Sequence, residues 1–128
     1  MSFPWVGYLD VAEMLIRVRN SHAPAEARYR VAISRAYYAA FCAARNYARD
    51  REGFTPSRSG RDHRLVIAYY SQGTSRTHKK IGQTLERLLI ERNRADYDDD
   101  ISQNLRRLAL FTVQEARQVF TLLQQLGS

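Results

Sequence analysis

Two short segments place charged and hydroxyl-bearing side chains on helical faces that are otherwise apolar. Residues 34–41 have the sequence SRAYYAAF, and residues 92–97 have the sequence RNRADY. A buried arginine is costly unless a carboxylate or several hydrogen-bond acceptors receive it. We therefore expect Arg35 or Arg92 to pair with Asp96, and we expect this ion pair to join two long helices.

Three tyrosines lie close to these charges in the sequence, namely Tyr37, Tyr38 and Tyr97. Their hydroxyls could form hydrogen bonds with the donors and acceptors that the ion pair leaves unpaired. Such a cluster has two interpretations: it links two helices structurally, or it forms a site that holds a phosphate or a nucleotide. The same residues can serve both purposes, and the sequence leaves both interpretations open.

The elements that must position these residues are helices, because a 3.6-residue periodicity runs nearly from end to end and strand patterns are almost absent. The predicted helices cover residues 3–19, 24–51, 61–70, 75–95 and 101–126, with Ser2 as a candidate cap for the first. The predicted apolar face of the second helix includes Val31, Tyr38, Phe41 and Cys42. This pattern predicts an all-α fold, an up-and-down antiparallel bundle of four long helices plus one short helix. We expect residues 1–128 to form a single domain.

Two connections between the predicted helices have distinctive compositions. Residues 52–60, EGFTPSRSG, combine Gly, Pro and Ser and predict a flexible loop. The densest basic zone of the chain flanks this loop and includes Arg58 and Arg61. Residues 96–100 form an acidic turn before the fifth helix. We expect Asp98, Asp99 and Asp100 to lie where the dipole of that helix favours negative charge.

The basic residues of the chain are almost all arginines. The formal net charge is +7, and Lys79 and Lys80 are the only lysines among 20 Lys and Arg residues. A guanidinium is a planar fork that suits phosphates, carboxylates and aromatic faces. The composition therefore indicates an anionic partner, with RNA as the first candidate, or it reflects the arginine-rich codon usage of a GC-rich genome.

Composition also bears on the kinds of site and location to be expected. Cys42 is the single cysteine, which excludes an internal disulfide. His22, His63 and His78 are scattered without the spacing of metal ligands, so we expect neither a metal nor another cofactor. The chain shows no secretory signal and no apolar stretch long enough to span a bilayer. We therefore expect a protein of the reducing cytoplasm that does not enter the membrane.

Three motifs, in this order, make the chain resemble a HEPN domain, a small helical family of prokaryotic toxin–antitoxin and defence systems. The second helix of one HEPN subfamily carries Ala-x-Ser-Arg-Ala-Tyr-Tyr-Ala-x-Phe, matched by residues 32–41. His63 matches the histidine that opens the following short helix, and residues 92–97 match Arg-x-x-Ala-Asp-Tyr. Order and spacing agree over about residues 5–123, so the resemblance covers nearly the whole chain.

The resemblance implies a HEPN-like bundle that forms a homodimer and is often encoded beside a minimal nucleotidyltransferase. In active members, an arginine, a polar residue and a histidine a few positions later meet their symmetry mates across the dimer. These residues cleave RNA without a metal. The histidine moves a proton for attack by the 2′-hydroxyl, and the arginine stabilises charge on the phosphorane.

Carried over to this chain, the resemblance gives two sets of candidate site residues. The catalytic candidates are Arg92, Asp96, Tyr97 and His63. The candidates for contact with RNA or a partner protein are Arg35, Tyr38, Arg58 and Arg61. In related systems a tyrosine beside the active motif receives a nucleotide from the partner enzyme, and Tyr97 is a loose positional match to it.

The chain departs from the active motif at one position. After Arg92, the window in which the histidine should fall holds Tyr97, Asp98 and Asp99, and no histidine follows His78. Aspartate is a poor proton carrier near neutral pH, and a cluster of carboxylates repels RNA.

Three functional hypotheses follow. The first is an atypical HEPN protein, an interaction module that acts as a dimeric component of a toxin–antitoxin or defence system with a minimal nucleotidyltransferase. The alternative is a metal-independent endoribonuclease with a composite site at the dimer interface, in which Arg92 is central and His63 or Tyr97 replaces the missing histidine. The third is a bundle that serves only as a ligand-binding or scaffold protein. Arg58 and His63 have the letter spacing of the ribonuclease motif but lie elsewhere in the chain, so we interpret that spacing as coincidence.

Overall fold

The computed structural model describes residues 3–128, most of which are helical. In chain order the helices are α1 Val6–Arg17, α2 Ala25–Glu52, α3 Asp62–Ser71, α4 Arg76–Tyr97 and α5 Leu105–Gly127. No strand occurs within these residues. The prediction of an all-α fold is therefore confirmed, and every predicted helix is present. The expected cap at Ser2 lies outside the described residues, and α1 begins after Trp5.

The long helices pack as a bundle around α2, which contacts each of the other four. Arg28 at the start of α2 donates to the carbonyl of Leu15 near the end of α1, so these two helices are antiparallel. Glu52 at the end of α2 contacts His78 in the first turn of α4, so these two are antiparallel as well. α4 and α5 pack together across a short connection, and the short α3 lies mainly against α4. None of the helices within residues 3–128 is both long and apolar enough to cross a membrane.

The centre of α2 is rich in alanine because other helices approach it closely on several sides. Its buried alanines are Ala32, Ala36, Ala39, Ala40, Ala44 and Ala48. Larger buried side chains of the neighbouring helices pack around them, among them Leu9, Ile81, Leu85 and Val119. The small side chains of α2 therefore make room for the large ones that α1, α4 and α5 contribute.

One face of α2 is less covered than the rest and carries three of its arginines. This outer strip of α2 consists of Val31, Arg35, Tyr38, Cys42, Arg45 and Arg49, at three- and four-residue spacing, and Cys42 is its one buried member. Val31 is 46% exposed, so its assignment to the apolar face is wrong. The outer strip faces away from the helices that cover the alanines, and a valine on it gains little burial.

The connection between α4 and α5 differs from the prediction. α5 begins at Leu105 rather than at residue 101, and the side chain of Asn104 caps it. The guanidinium of Arg30 in α2 donates to three carbonyls at the end of α4, those of Ala95, Asp98 and Asp99. These hydrogen bonds hold the chain just after α4, so the acidic residues 98–100 do not sit at the start of α5. Their predicted placement at that helix dipole is therefore wrong.

The connection between α2 and α3 is fixed by a single carboxylate. α2 ends at Gly53, whose φ of +79° is a left-handed conformation that glycine adopts without a Cβ penalty. The carboxylate of Asp62 accepts hydrogen bonds from the N–H and hydroxyl of Ser57 and from the N–H of Arg58, at 2.6–2.9 Å. Burial opposes ionisation of Asp62, but these donors outweigh it and hold the pKa of the carboxyl below its ordinary value. The loop lies where predicted, but its central residues are held rather than free.

Candidate functional site

The guanidinium of Arg92 joins the two segments that the sequence singled out. Its Nη2 donates to the hydroxyl of Tyr38 at 2.5 Å, and its Nε lies 3.0 Å from Oδ2 of Asp96, one turn further along α4. The side chain of Arg92 is only 16% exposed, and its charged end lies 5.0 Å from the centre of the Tyr38 ring. The prediction that this arginine turns inward toward a carboxylate and a ring hydroxyl is confirmed.

Asp96 is connected to α2 through Ser34. The hydroxyl of Ser34 donates to Oδ2 of Asp96 at 3.2 Å and accepts from Nη2 of Arg35 at 3.2 Å. Arg35 therefore reaches Asp96 only through this hydroxyl, and of the two arginines named as candidates it is Arg92 that pairs with Asp96. The ion pair that does form, with Arg92, lies within α4, because residues four apart share one face of a helix. Hydrogen bonds of Ser34 and Tyr38, not the ion pair itself, connect α4 to α2.

The cluster is partly open and not perfectly satisfied. The side chain of Asp96 is 28% exposed. The Nε–H of Arg92 lies close to Asp96 but is not directed at it, so the contact is an ion pair without a hydrogen bond. The Nε of Arg35 is also buried without a hydrogen-bond partner in the described part of the chain. Unpaired buried donors are rare in proteins, and they mark positions that are not optimised for stability alone.

Tyr97 does not take part in this cluster. It is the last residue of α4, and its side chain is 73% exposed. One residue beyond Asp96, the helical rotation of about 100° carries it onto another face. The expectation that its hydroxyl bonds within the Arg92 cluster is therefore wrong.

His63 is the second residue of α3 and packs among aromatic rings. Its ring stacks on Phe41 with centroids 4.4 Å apart, and its Nδ1 lies 2.6 Å from the hydroxyl of Tyr37. Burial, followed by the positive charge of Arg92, lowers the pKa of His63 below its ordinary value. Burial raises the pKa of the Tyr37 hydroxyl, which therefore keeps its proton. This hydroxyl is fully buried and has Nδ1 of His63 as its only hydrogen-bond partner within residues 3–128, so we assign its hydrogen to this bond.

This contact fixes what His63 can do chemically. A neutral histidine that accepts a hydrogen bond at Nδ1 carries its own hydrogen on Nε2. Nε2–H can donate to a phosphate oxygen. The lone pair that would take a proton from a 2′-hydroxyl is already occupied by Tyr37. Within one subunit, His63 is therefore arranged for anion binding rather than for general-base catalysis.

His63 lines a cleft of about 600 Å³ between the start of α1, the outer strip of α2 and the loop before α3. We call it the His63 cleft. Its charged lining residues are Arg35, Arg45, Arg58 and Asp62, and its aromatic lining residues are Trp5, Tyr8, Tyr38 and Phe41. The carboxylate of Asp62 is occupied by hydrogen bonds from its own loop. Three guanidinium groups therefore face one occupied carboxylate, and the cleft is positively charged.

The predicted site residues divide into those that line the His63 cleft and those that do not. Arg35, Tyr38, Arg58 and His63 line it. Arg92 does not line the cleft but contacts Tyr38, which does. Asp96 contacts Arg92 and Ser34 and has no contact with a lining residue among these bonds. Arg61 is exposed at the position before α3 and is not part of the lining, nor is Tyr97.

Arg58 has a backbone conformation that is usual for glycine. Its φ is +63°, in the left-handed region, where a residue with a Cβ is less stable by about 1–2 kcal/mol. The hydrogen bond from its N–H to Asp62 holds it there. We interpreted the spacing of Arg58 and His63 as coincidence, yet the two residues line the same cleft.

Arg45 is a lining residue that sequence reasoning did not single out. The sequence does carry a signal for Arg45, because one helix has residues three, seven and four positions apart, namely Arg35, Tyr38, Arg45 and Arg49. Such spacing places all four side chains on one face. The contact between Tyr37 and His63 has no comparable local signal, because it joins residues 26 positions apart.

The chemistry of the His63 cleft is indicated neither by a metal-binding group in residues 3–128 nor by a similar protein. Residues 3–128 contain no group of three or more His, Cys, Asp or Glu side chains placed to hold a metal ion. Comparison with known protein families, with characterised proteins and with solved structures finds no match to this chain.

Proposed function

We propose that this chain is an atypical HEPN-type protein that acts as a dimeric component of a toxin–antitoxin or defence system. In this proposal it works with a minimal nucleotidyltransferase and binds RNA in the His63 cleft. The observation that carries the proposal is the meeting of the motifs on which the resemblance depends. Ser34 and Tyr38 of the α2 motif contact Asp96 and Arg92 of the α4 motif.

The third motif element meets the first in the same way. His63 at the start of α3 contacts the hydroxyl of Tyr37, which belongs to the α2 motif. Three segments that are far apart in the sequence thus converge on one face of α2. Such convergence explains why these residue types occur together in one chain, and it supports a HEPN-like bundle.

RNA is the ligand class that suits the lining of the His63 cleft. Phosphodiester groups are bound by arginine, and unpaired bases stack on aromatic rings. Arg35, Arg45 and Arg58 supply the first kind of contact, and Trp5 and Tyr8 are placed for the second. The occupied Nδ1 of His63 favours binding without cleavage, which agrees with an interaction module. Dimerisation and the nucleotidyltransferase partner rest on the resemblance.

Copurification tests this proposal. The tagged chain is coexpressed with the nucleotidyltransferase encoded beside it, and the lysate is treated with nuclease so that RNA cannot bridge basic proteins. We expect the two proteins to elute together, and we expect light scattering of the purified chain alone to give twice its mass. An unrelated helical protein of similar charge is the control. The absence of such a neighbouring gene contradicts the proposal. So does a nucleotidyltransferase that does not elute with the tagged chain, or that elutes equally well with the control protein.

A metal-independent endoribonuclease is the second candidate, and the position of His63 favours it. This histidine lies beside Arg35, Arg45 and Arg58 in one cleft, and its lowered pKa keeps it neutral near pH 7. In a dimer the second His63 could act as the other proton carrier, although each must first give up its contact with Tyr37. Incubation of RNA with the pure protein and a chelator tests this. Intact RNA, or cleavage that persists in both His63→Gln and Arg92→Ala variants, eliminates this candidate.

A further inference from the structure

Ser75, His78 and Glu52 form a chain of hydrogen bonds that has no role in the function proposed above. The hydroxyl of Ser75 lies 2.5 Å from Nδ1 of His78. Nε2 of the same ring lies 2.9 Å and 3.1 Å from the two carboxylate oxygens of Glu52. These residues come from the start of α4 and the end of α2, and none of them lines the His63 cleft.

The hydrogens of this chain follow from the charge of Glu52. Burial opposes ionisation of Glu52, but hydrogen bonds from Tyr69 and His78 outweigh it and hold the pKa of this carboxyl below its ordinary value. A carboxylate only accepts hydrogen bonds, so we assign the hydrogen of the neutral imidazole to Nε2. Nδ1 then accepts from the hydroxyl of Ser75. A hydroxyl bonded to a histidine that a carboxylate orients is the arrangement that activates a serine as a nucleophile.

Helix capping accounts for only part of this arrangement. Ser75 is the N-cap of α4, and its Oγ accepts from the backbone N–H of His78 at 3.0 Å. A serine cap needs neither an imidazole three residues later nor a carboxylate from another helix. Ser75 is also partly exposed, so its hydroxyl remains within reach of a small molecule.

The ring of His78 is held in place by residues of α3 and of the turn that follows it. It stacks on Tyr70, with centroids 5.9 Å apart and planes 28° apart. Tyr70 is itself fully buried, and its hydroxyl donates to the carbonyl of Ala44. A Cβ at Gly73 would lie 2.6 Å from the Cβ of His78, so this turn leaves room for the histidine only because it has glycine there. A base that is fixed in this way is preorganised for proton transfer.

His78 and Glu52 open onto a cleft of about 500 Å³, which we call the His78 cleft. It is lined by Glu52, Tyr69, Gln72, Gly73, Thr74 and His78, and Ser75 is the next residue after Thr74. The volume falls in the range of small-molecule sites, about 300–1,000 Å³. The ring of Tyr69 gives this cleft an apolar wall against which a short aliphatic or aromatic group can pack.

The first turn of α4 supplies hydrogen-bond donors beside the hydroxyl of Ser75. The backbone N–H groups of Arg76 and Thr77 bind no acceptor in the described part of the chain, unlike that of His78. N–H groups at this end of a helix stabilise negative charge. They lie next to the atom at which an attacked carbonyl would become an oxyanion.

We propose that Ser75, His78 and Glu52 form a second site, which hydrolyses a small carboxylic ester through an acyl group carried on Ser75. In this site Ser75 is the nucleophile and His78 is the general base. Glu52 is a positioning residue that acts through the imidazole. The substrate class is an ester whose acyl group is uncharged, because it must pack against Tyr69 and lie near the carboxylate of Glu52.

The reaction proceeds in two balanced steps. Oγ of Ser75 forms a bond to the carbonyl carbon while its proton passes to Nδ1 of His78. The carbonyl oxygen takes the negative charge and returns it as the bond to the alcohol oxygen breaks, and the alcohol leaves with the proton from Nδ1. Water then attacks the acyl group and gives its proton to Nδ1. Oγ departs with that proton, so the products are a carboxylic acid and the original serine.

Hydrolysis of p-nitrophenyl butyrate by the full chain, followed by the absorbance of nitrophenolate, tests this site. Ser75→Asn keeps an efficient N-cap but removes the nucleophile, so kcat should fall at least about 100-fold while the melting temperature changes little. Ser102→Ala removes an exposed hydroxyl elsewhere and should hydrolyse the ester as the unmodified chain does. A fluorophosphonate probe, located by mass spectrometry, should label Ser75.

Variants of the other two residues separate the base from the group that orients it. His78→Gln should lower kcat about 100-fold and should prevent labelling by the fluorophosphonate. Glu52→Gln should lower kcat with little change in KM, because Glu52 orients the base rather than binding the ester. A merely structural role of Glu52 would lower the melting temperature without this division between kcat and KM.

Three results would each overturn the proposal: hydrolysis by the unmodified chain no faster than by Ser75→Asn, a fluorophosphonate adduct on another residue in place of Ser75, or full kcat in His78→Gln. This proposal does not depend on the function proposed above. Ser75→Asn should leave RNA binding unchanged, and Arg35→Gln should leave ester hydrolysis unchanged, since Arg35 does not line the His78 cleft. The two proposals can therefore fail separately.

Discussion

The hydroxyl of Tyr38 in α2 accepts a hydrogen bond from Nη2 of Arg92 in α4, at 2.5 Å. Tyr38 also lines the His63 cleft, which Arg92 does not. The position of the cleft wall therefore depends on a residue that does not line the cleft. In the proposed function, Arg92 and Asp96 position the cleft wall, and Arg35, Arg45 and Arg58, which line the cleft, would contact the RNA.

Asp96→Asn should lower the free energy of unfolding by about 1–2 kcal/mol. The variant weakens an ion pair at one-turn spacing with Arg92 and a hydrogen bond from Ser34. A fully buried pair would give about 3–5 kcal/mol, but the carboxylate of Asp96 is partly exposed. Urea unfolding followed by circular dichroism measures the change. Asp100→Asn in the same acidic segment is the control, and an effect no larger than that of the control would show that the Arg92 cluster does not stabilise the bundle.

The stability of the protein should decrease as the pH falls below about 6.5, because of His63. The pKa of His63 in the folded protein lies below the 6.5 of an unperturbed histidine, so below that pH the unfolded chain binds a proton more readily. The contribution of neutral His63 is therefore fully present above pH 6.5 and is lost at lower pH. Asp62 and Glu52 also have lowered pKa values, but their contributions are lost only below the ordinary values of 3.8 and 4.5.

Urea unfolding at about pH 7.5 and about pH 5.5 isolates the histidine contribution, because the carboxyls remain ionised across this window. His63→Gln should reduce the difference in stability between the two pH values. His22→Gln, at an exposed position before α2, should not. An unchanged difference in the His63→Gln variant would contradict the assignment.

Tyr37→Phe should raise the pKa of His63 toward its ordinary value. The Tyr37 hydroxyl donates to Nδ1 only while the imidazole is neutral, so removing the donor removes a preference for the neutral form. Titration of the imidazole by NMR measures the pKa. Tyr29→Phe is the control, because Tyr29 lies on α2 away from His63. No change, or a lower pKa, would show that Nδ1 does not accept this hydrogen bond and would return His63 to the list of candidate general bases.

The helices themselves could be predicted from the sequence because their signals are local. Ile81, Leu85 and Leu88 recur at helical spacing and are buried, and Ser75 caps the start of α4 with its side chain. The start of α5 was misplaced because Ile101 continues the apolar spacing. The interaction that keeps this segment out of the helix comes from Arg30, about 70 residues earlier in the chain. No local pattern contains such a contact.

The cleft could be predicted only in part. The basic outer strip of α2 follows from residue spacing, but its meeting with Arg58 and His63 requires the path of the loop.

The structural roles of Arg28 and Arg30 were missed, although their position in the sequence indicates them. A positive charge in the first turns of a helix opposes the helix dipole, so it must be stabilised by something outside that helix. Both arginines in fact bind carbonyls at the ends of other helices.

Arg28→Met should lower the free energy of unfolding by about 3 kcal/mol. The guanidinium of Arg28 is nearly buried and donates to the carbonyls of Leu15, Val18 and Ala23, so methionine leaves three carbonyls unpaired between α1 and α2. Urea unfolding measures the loss, and amide hydrogen exchange should accelerate around residues 18–24. Arg19→Gln, an exposed arginine in the same connection, is the control. Equal effects of the two variants would show that these hydrogen bonds contribute no more than surface charge.

Titration with a single-stranded oligoribonucleotide in the presence of a chelator measures whether the His63 cleft binds RNA. Trp5 is the only tryptophan and lines the His63 cleft, so its fluorescence reports on the ligand. We expect saturable binding that weakens with salt and an intact strand after incubation. Arg35→Gln should bind about tenfold more weakly, and Arg106→Gln, which removes an exposed arginine of α5, should bind as the unmodified chain does. Equal affinity of Arg35→Gln and the unmodified chain, no binding at all, or cleavage of the strand would contradict the proposed function.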